Sequence, residues 1–140
     1  MADVDNFKTF NDRYGHIKGD TALRQIAYVL QSKSRKIDTV ARYGGEEFAI
    51  VMPNTSKENA RLFSERLRNE VEKLFAGDAS VEAEMRLTIS CVLAAFPDDV
   101  STKDDLIAKA DLALYEAKRA GKNRTCVYES AMGDKKEGTF

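Results

Sequence analysis

Thr39–Met52, Thr-Val-Ala-Arg-Tyr-Gly-Gly-Glu-Glu-Phe-Ala-Ile-Val-Met, is the stretch whose reading decides the fold. Thr39–Tyr43 is β-branched or aromatic apart from Ala41 and Arg42. Gly44-Gly45 marks a turn. From Glu47 to Met52 the pattern alternates, with Phe48, Ile50 and Met52 on one face. Two short strands around Gly-Gly predict a β-hairpin. The glycines permit positive φ, which would let the hairpin turn tightly and approach a ligand with its backbone. Glu46 and Glu47 follow at once, and strand alternation places them on opposite sides.

Upstream of the hairpin, Lys18–Lys33 reads as a helix, because Leu23, Ile26, Ala27 and Leu30 recur at helical spacing. Ser34–Asp38 is a polar connection. Before the helix the chain runs from Met1-Ala2 straight into Asp3-Val4-Asp5, read as the end of a strand. Downstream, Pro53 stops the second hairpin strand. Thr55 and Glu58 form a capping box for a helix through Phe75, closed by Gly77. Met85–Phe96 predicts a long strand, and Pro97-Asp98-Asp99 a loop. Ser101 and Asp104 suggest a second capping box, for a helix that Gly121 closes. Thr125–Tyr128 is a last short strand. The order β-α-β-β-α-β-α-β begins with the split β-α-β pattern of ferredoxin-like folds. The expected class is α+β: a ferredoxin-like, palm-type central antiparallel sheet flanked by helices. Residues 1–128 would form one domain and 129–140 a polar, aperiodic tail.

The 140 residues fit a single domain large enough to bury its own core. With 22 Lys+Arg against 23 Asp+Glu, no global field favours nucleic acid. No apolar run reaches the length of a membrane span, and no signal-peptide pattern opens the sequence. Cys91 and Cys126 make neither a disulfide framework nor a CxxC motif, so a reduced, cytoplasmic setting is expected.

In the ferredoxin-like order the first strand neighbours the hairpin, so Asp3 and Asp5 could meet the hairpin acids above the sheet. Converging carboxylates repel unless a hard cation joins them. Mg²⁺ suits such a site because it retains waters and accepts phosphate oxygens. That is the arrangement phosphoryl and nucleotidyl transfer need. A solvated acidic cluster beside an ordinary Gly-Gly turn is the competing reading.

Several spaced motifs go further. Gly44-Gly45-Glu46-Glu47-Phe48 resembles the signature pentapeptide of GGDEF-domain diguanylate cyclases, in its Glu variant. Asp3-Val4-Asp5-Asn6-Phe7-Lys8, with Asn11-Asp12, Gly15-His16 and Gly19-Asp20, resembles that family's first block. Ala110-Asp111, Ala113, Tyr115-Glu116-Ala117-Lys118 and Gly121-Lys122-Asn123 resemble its last. The resemblance implies a nucleotidyl-cyclase-like fold and a reaction in which two GTP become cyclic di-GMP and two pyrophosphates. Each domain would hold one GTP, so catalysis needs a homodimer of facing domains.

By position, Asp3, the Val4 carbonyl and Glu46 match ligands of Mg²⁺ (or Mn²⁺), with Glu47 as a further metal-proximal carboxylate. Glu46 also matches the residue that helps deprotonate the 3′-hydroxyl. Asn11 and Asp20 match a guanine-reading pair, and His16 a substrate-side position. Helix caps and an exposed turn are their ordinary structural alternatives. Phe7 and Lys8 match a loop whose backbone N–H groups contact phosphate. Lys118 and Lys122 match positions that neutralise the triphosphate. Lys122 keeps the charge, but not the planar fork, of the Arg found in many relatives. Arg35, Asp38 and Arg66 resemble a product-inhibition site, Arg35–Asp38 being its RxxD motif.

The chain departs from the family where an Asp-x-Leu-Thr-x-Leu-x-Asn-Arg segment and an apolar first strand are expected. A missing N-terminal segment, and a sensory or dimerising module before it, are therefore expectations; the longer protein could be membrane-associated. Val92 stands where many relatives have Gly. Two other readings stay open. One is a non-catalytic module that binds cyclic di-GMP or GTP. The other is a different nucleotidyl transferase of the same fold, such as an adenylate cyclase.

Overall fold

The computed structural model describes residues 1–129. A central five-stranded sheet has the order β2-β3-β1-β4-β5. Its strands are β1 (Ala2–Val4), β2 (Thr39–Arg42), β3 (Glu47–Val51), β4 (Ile89–Leu93) and β5 (Thr125–Val127). The helices are α1 (Phe7–Tyr14), α2 (His16–Lys33), α3 (Lys57–Ala76) and α4 (Lys103–Arg119). The α+β class holds, and β1 to β4 pair antiparallel in the ferredoxin-like arrangement. The sheet as a whole is mixed rather than antiparallel, because β5 joins β4 in parallel, with Val92 opposite Cys126.

β1 is the shortest kind of central strand. It pairs on one side with β3 (Ala2 opposite Phe48, Asp3 opposite Glu47) and on the other with β4 (Asp3 opposite Ser90). Side chains alternate across a strand. Ala2, Val4, Phe48, Ile89 and Cys91 face the larger core, shared with Phe7 and Phe10 of α1, Leu23, Ile26 and Leu30 of α2, and Leu67, Val71 and Phe75 of α3. Val92 and Tyr128 pack with Ala110, Ala113, Leu114 and Ala117 of α4 on the opposite face. The small residues of α4 let that helix lie close to the sheet. Cys91 and Cys126 are both free.

Several local expectations change. Residues 7–14 form a helix, not a loop, with Phe7 and Phe10 buried on one face. The hairpin turns without positive φ at Gly44 or Gly45; among the described glycines only Gly15 and Gly121 adopt it. Ser56, not Thr55, caps α3, accepting the Asn59 N–H at 3.2 Å. The Thr55 hydroxyl is engaged elsewhere, 2.6 Å from an Arg35 guanidinium nitrogen and 3.0 Å from the Pro53 carbonyl. Thr102, not Ser101, caps α4, its hydroxyl accepting the Asp105 N–H at 3.2 Å. β4 is shorter than Met85–Phe96. Ala83–Met85 forms a 3-10 turn before it, and after it the Ala95 N–H leaves the sheet to donate to the Asp99 carboxylate at 2.7 Å. Among the described residues no helix is long and apolar enough to cross a membrane. The part of the expected tail from residue 130 onward lies outside the described residues.

Candidate active site

The hairpin, the end of β1 and the end of α4 meet along the edge formed by the ends of the central strands. Register puts Asp3 directly across from Glu47, on the α4 face. The Val4 N–H donates to the Glu46 carbonyl at 3.1 Å, which locks the backbones of the two acidic segments together. The resemblance sets Glu46 beside Asp3 and the Val4 carbonyl, with Glu47 as a further carboxylate; the register puts Glu47 directly opposite Asp3. Burial, then the charges of Asp3, Asp111 and Glu46, push the Glu47 carboxyl above the ordinary carboxylate range. Burial also raises Asp3, against the opposing pull of Lys118. Asp111, on α4, is therefore part of this electrostatic field, a role its sequence position alone did not disclose.

The two hairpin glycines serve clearance. A Cβ at Gly44 would lie 2.5 Å from Glu47 Oε2, because the Glu47 carboxylate folds back over that residue. A Cβ at Gly45 would meet nothing within 4 Å, so the backbone there is open to an approaching molecule. Arg42 clamps the turn by donating to the Gly44 carbonyl at 3.2 Å and, through two nitrogens, to the Gly45 carbonyl at 3.0 and 2.6 Å.

Lys118, in the last turn of α4, donates to Asp3 and to Asp5, the latter at 2.9 Å. Burial alone would lower the Lys118 pKa, but the two aspartates outweigh it and raise the value, so the ammonium stays charged. Lys122 follows the helix in left-handed backbone, φ 62°, and its ammonium donates to Asn6 Oδ1 at 2.5 Å. Asn6, the residue before α1, makes no side-chain cap. The first-turn N–H groups of α1, at Phe7 and Lys8, have no partner within the helix and offer donors to an anion. The Phe7 ring itself belongs to the core and Lys8 is exposed.

Asn11 and the start of α2 form the next part. Asn11 Oδ1 is buried without a hydrogen-bond partner, and it sits against Gly19, where a Cβ would come within 1.8 Å of it. Asp20, next in sequence, is exposed at the rim of a cavity of about 290 Å³ between α2 and the hairpin, lined also by Leu23, Ala27, Val40 and Phe48. His16 is exposed at the first residue of α2. Asn11 thus lies against Gly19, the residue before Asp20, while His16 stands on the surface one turn before Asp20.

The donor set suits a hard divalent cation. All the oxygens come from carboxylates and carbonyls, and the charge of Asp3 disfavours that of Glu47. Among the described residues no group of three or more His, Cys, Asp or Glu is assembled to hold a metal by itself. A site of one or two carboxylates completed by substrate phosphates and water is the mode Mg²⁺ uses.

Away from this edge, Arg35 is fixed by Asp38. Its guanidinium donates to Asp38 Oδ1 at 2.8 Å and 3.2 Å, to the Pro53 carbonyl at 3.1 Å and to Thr55. The hydrogen bonds from Arg35 hold the buried Asp38 carboxyl below the ordinary range. Arg66 of α3 lies over the Phe63 ring and reaches the Lys33 carbonyl at 3.4 Å, two residues before Arg35. The three expected residues of this second site therefore gather around the end of α2.

The chain is similar to known proteins. The family model described as "Diguanylate cyclase, GGDEF domain" matches residues 1–124. Diguanylate cyclase A of Treponema denticola is 41% identical over 125 residues, covering 89% of this chain and 33% of its own length. Diguanylate cyclase VdcA of Vibrio cholerae is 44% identical over 126 residues, covering 89% of this chain and 37% of that protein. The chain thus spans about a third of the length of these relatives. Among solved structures, the GGDEF domain of DgcB from Caulobacter crescentus in complex with c-di-GMP superposes with a TM-score of 0.78 at 32% identity, over 92% of this chain and 75% of that one. The active GGEEF domain of a Vibrio cholerae diguanylate cyclase gives 0.76 at 36% identity, over 92% and 80%. With the Gly44–Phe48 hairpin, the acidic edge and the α4 lysines in place, the chain belongs to the GGDEF-domain family of diguanylate cyclases.

Proposed function

We propose that this domain condenses two GTP into cyclic di-GMP and two pyrophosphates, at the face between two copies of the domain. The observation that carries the reading is the juxtaposition of Asp3 and Glu47 beside Lys118, under a hairpin whose Gly45 leaves the approach open.

Each residue has a physical task. The Asp20 carboxylate accepts from guanine N1–H and N2–H₂, a donor pair that adenine lacks. The orphaned Asn11 oxygen, against Gly19, gives a further acceptor, which favours guanine over the adenylate cyclase alternative. The Phe7 and Lys8 amides and the Lys118 and Lys122 ammonium groups hold the triphosphate. Lys122 acts as a point charge, without bidentate contact. Glu46 would draw the proton from the 3′-hydroxyl. The 3′-oxygen of one GTP then bonds to the α-phosphorus of the other, and the bond to pyrophosphate breaks. Mg²⁺ or Mn²⁺, held by Asp3, the Val4 carbonyl and Glu46 with Glu47 beside them, would lower the hydroxyl's pKa and neutralise the departing pyrophosphate. A single domain presents only one such edge, so both transfers require two domains facing each other.

Arg35, already oriented by Asp38, Pro53 and Thr55, suits recognition of guanine O6 and N7 in the product. Cyclic di-GMP bound there, with Arg66 completing the contact, would hold domains apart from the productive pairing. The same geometry favours the alternative of a non-catalytic module that binds the dinucleotide.

The deciding experiment is incubation of the chain and of Glu46→Ala with GTP and Mg²⁺, followed by chromatography. Cyclic di-GMP from the first and none from the second supports the reading. Product surviving Glu46→Ala removes Glu46 from its role. Binding of cyclic di-GMP without turnover by the wild-type chain would favour the non-catalytic module.

A further inference from the structure

The carboxylate with the most hydrogen bonds at this edge is one that the reaction itself does not use. Asp5 is 1% exposed. Its Oδ1 accepts from Ser90 Oγ at 2.7 Å and Lys118 Nζ at 2.9 Å, and its Oδ2 from Thr88 Oγ1 at 2.8 Å and the Asn123 N–H at 3.0 Å. Four donors, from Thr88 just before β4, from β4, from α4 and from the 121–123 turn, thus converge on one buried carboxylate. Burial disfavours its charge, but these donors outweigh that and hold its pKa below the ordinary range.

Two of the four belong to the segment that would carry the phosphate-facing cations. Lys118 is one of those cations. Asn123 follows Lys122, in a turn whose residues 121, 122 and 123 all take positive φ, at 111°, 62° and 43°. Two consecutive non-glycine residues in left-handed backbone need outside restraint to persist. The turn receives it from both sides. The Asn123 N–H is held by Asp5, and its side chain is held by α3: Arg68 donates to Asn123 Oδ1 at 2.8 Å, and Asn123 Nδ2 donates to Glu72 at 3.0 Å.

We infer that Asp5 is a positioning residue, which sets Lys118 directly and Lys122 through the Asn123 backbone so that both ammonium groups face a nucleoside triphosphate. The inference rests on the cyclase reading for the identity of the ligand, but not for the restraint itself. Asparagine at position 5 would turn one acceptor into a donor facing donors, while keeping size and shape. Losing one charge-assisted hydrogen bond at each arm predicts a fall in triphosphate affinity of about tenfold to a hundredfold.

The test compares the full chain with Asp5→Asn in three measurements: amide hydrogen exchange at Asn123, affinity for a non-hydrolysable GTP analogue, and affinity for guanosine. The expected result is faster exchange at Asn123 and weakened triphosphate binding, with guanosine affinity unchanged. A merely structural role would weaken both ligands alike. Unchanged exchange with wild-type triphosphate affinity overturns the inference. Failure of the wild-type chain to bind any triphosphate would sink the cyclase reading instead; the Asn123 exchange would still decide whether Asp5 restrains the turn. Should Asp5→Asn not fold, Ser90→Ala removes one of the hydroxyls that fix the carboxylate and should give the same pattern at a few-fold.

Discussion

Replacing Gly19 by alanine tests how the base-reading corner is built. Gly19 lies inside α2, where exchange for alanine ordinarily gains about 1 kcal/mol of helix stability. Here the added methyl would meet Asn11 Oδ1 at 1.8 Å, Asn11 Cγ at 2.9 Å and Phe7 Cζ at 3.2 Å. The first two atoms are the end of a side chain, so Asn11 can swing away. The Phe7 ring is wedged in the core and yields less. Overpacking of this kind costs about 1–3 kcal/mol, so the net effect on folding should lie between neutral and about 2 kcal/mol destabilising after the propensity gain. Guanine binding should suffer as well, because Asn11 can no longer sit against Gly19. One lost hydrogen bond to the base corresponds to about a five- to tenfold loss. Urea denaturation and calorimetric titration with a GTP analogue, each on wild type and Gly19→Ala, measure the two quantities. A variant stabilised by the full helix-propensity gain, with undiminished guanine affinity, would refute the reasoning: Asn11 would then not be held against Gly19 when nucleotide binds.

The hairpin offers a paired comparison. Gly44→Ala should leave the melting temperature nearly unchanged but lower cyclase activity at least tenfold by displacing the Glu47 carboxylate, whereas Gly45→Ala should fold normally and lose nucleotide affinity; full activity of both in a turnover assay would contradict the clearance argument. Arg35 depresses the Asp38 pKa, so the pair contributes stability above the ordinary carboxylate value near 4 that is lost as pH falls through the lower folded-state value. Denaturation midpoints measured from pH 6 down to pH 3 should therefore fall less steeply for Asp38→Asn than for wild type, and equal slopes would be the contrary outcome. Burial pushes the Cys91 thiol up to about 12, so at pH 8 a thiol reagent should modify Cys126 in the native protein and reach Cys91 only on unfolding, as peptide mass analysis would show.

Much of this site was legible because its residues obey local rules. The hairpin, the α2 and α3 stripes and the glycine stop at Gly121, one residue past the Ala120 C-cap, all follow from spacing and turn chemistry. What escaped depends on partners distant in sequence. Helix α1 is only eight residues long, lies between Asn6 and Gly15 and holds Asn11 and Asp12, so its Phe7–Phe10 face is too short to show a helical period. The pairing of Asp3 with Glu47 is a matter of register, and the sequence carries no turn that joins β1 to β3. Asp5 reads in the sequence as one of an acidic pair with Asp3 at the end of the first strand. Its four donors come from residues 88, 90, 118 and 123, and only folding reveals that they satisfy it internally. The Asn123 clamp by Arg68 and Glu72 likewise joins residues about fifty positions apart. Gly44 and Gly45 were read as turn formers; their use is the space they leave.

The three residues of β1 sit in the middle of the sheet with their two faces assigned to opposite tasks. A slip of one position against either neighbour would drive carboxylates into the apolar layer and turn Ala2 and Val4 outward. Mispaired molecules would therefore lose their packing and their chemistry together. Folding acts here as its own inspector, since any copy that has closed its core has also drawn up its acidic edge.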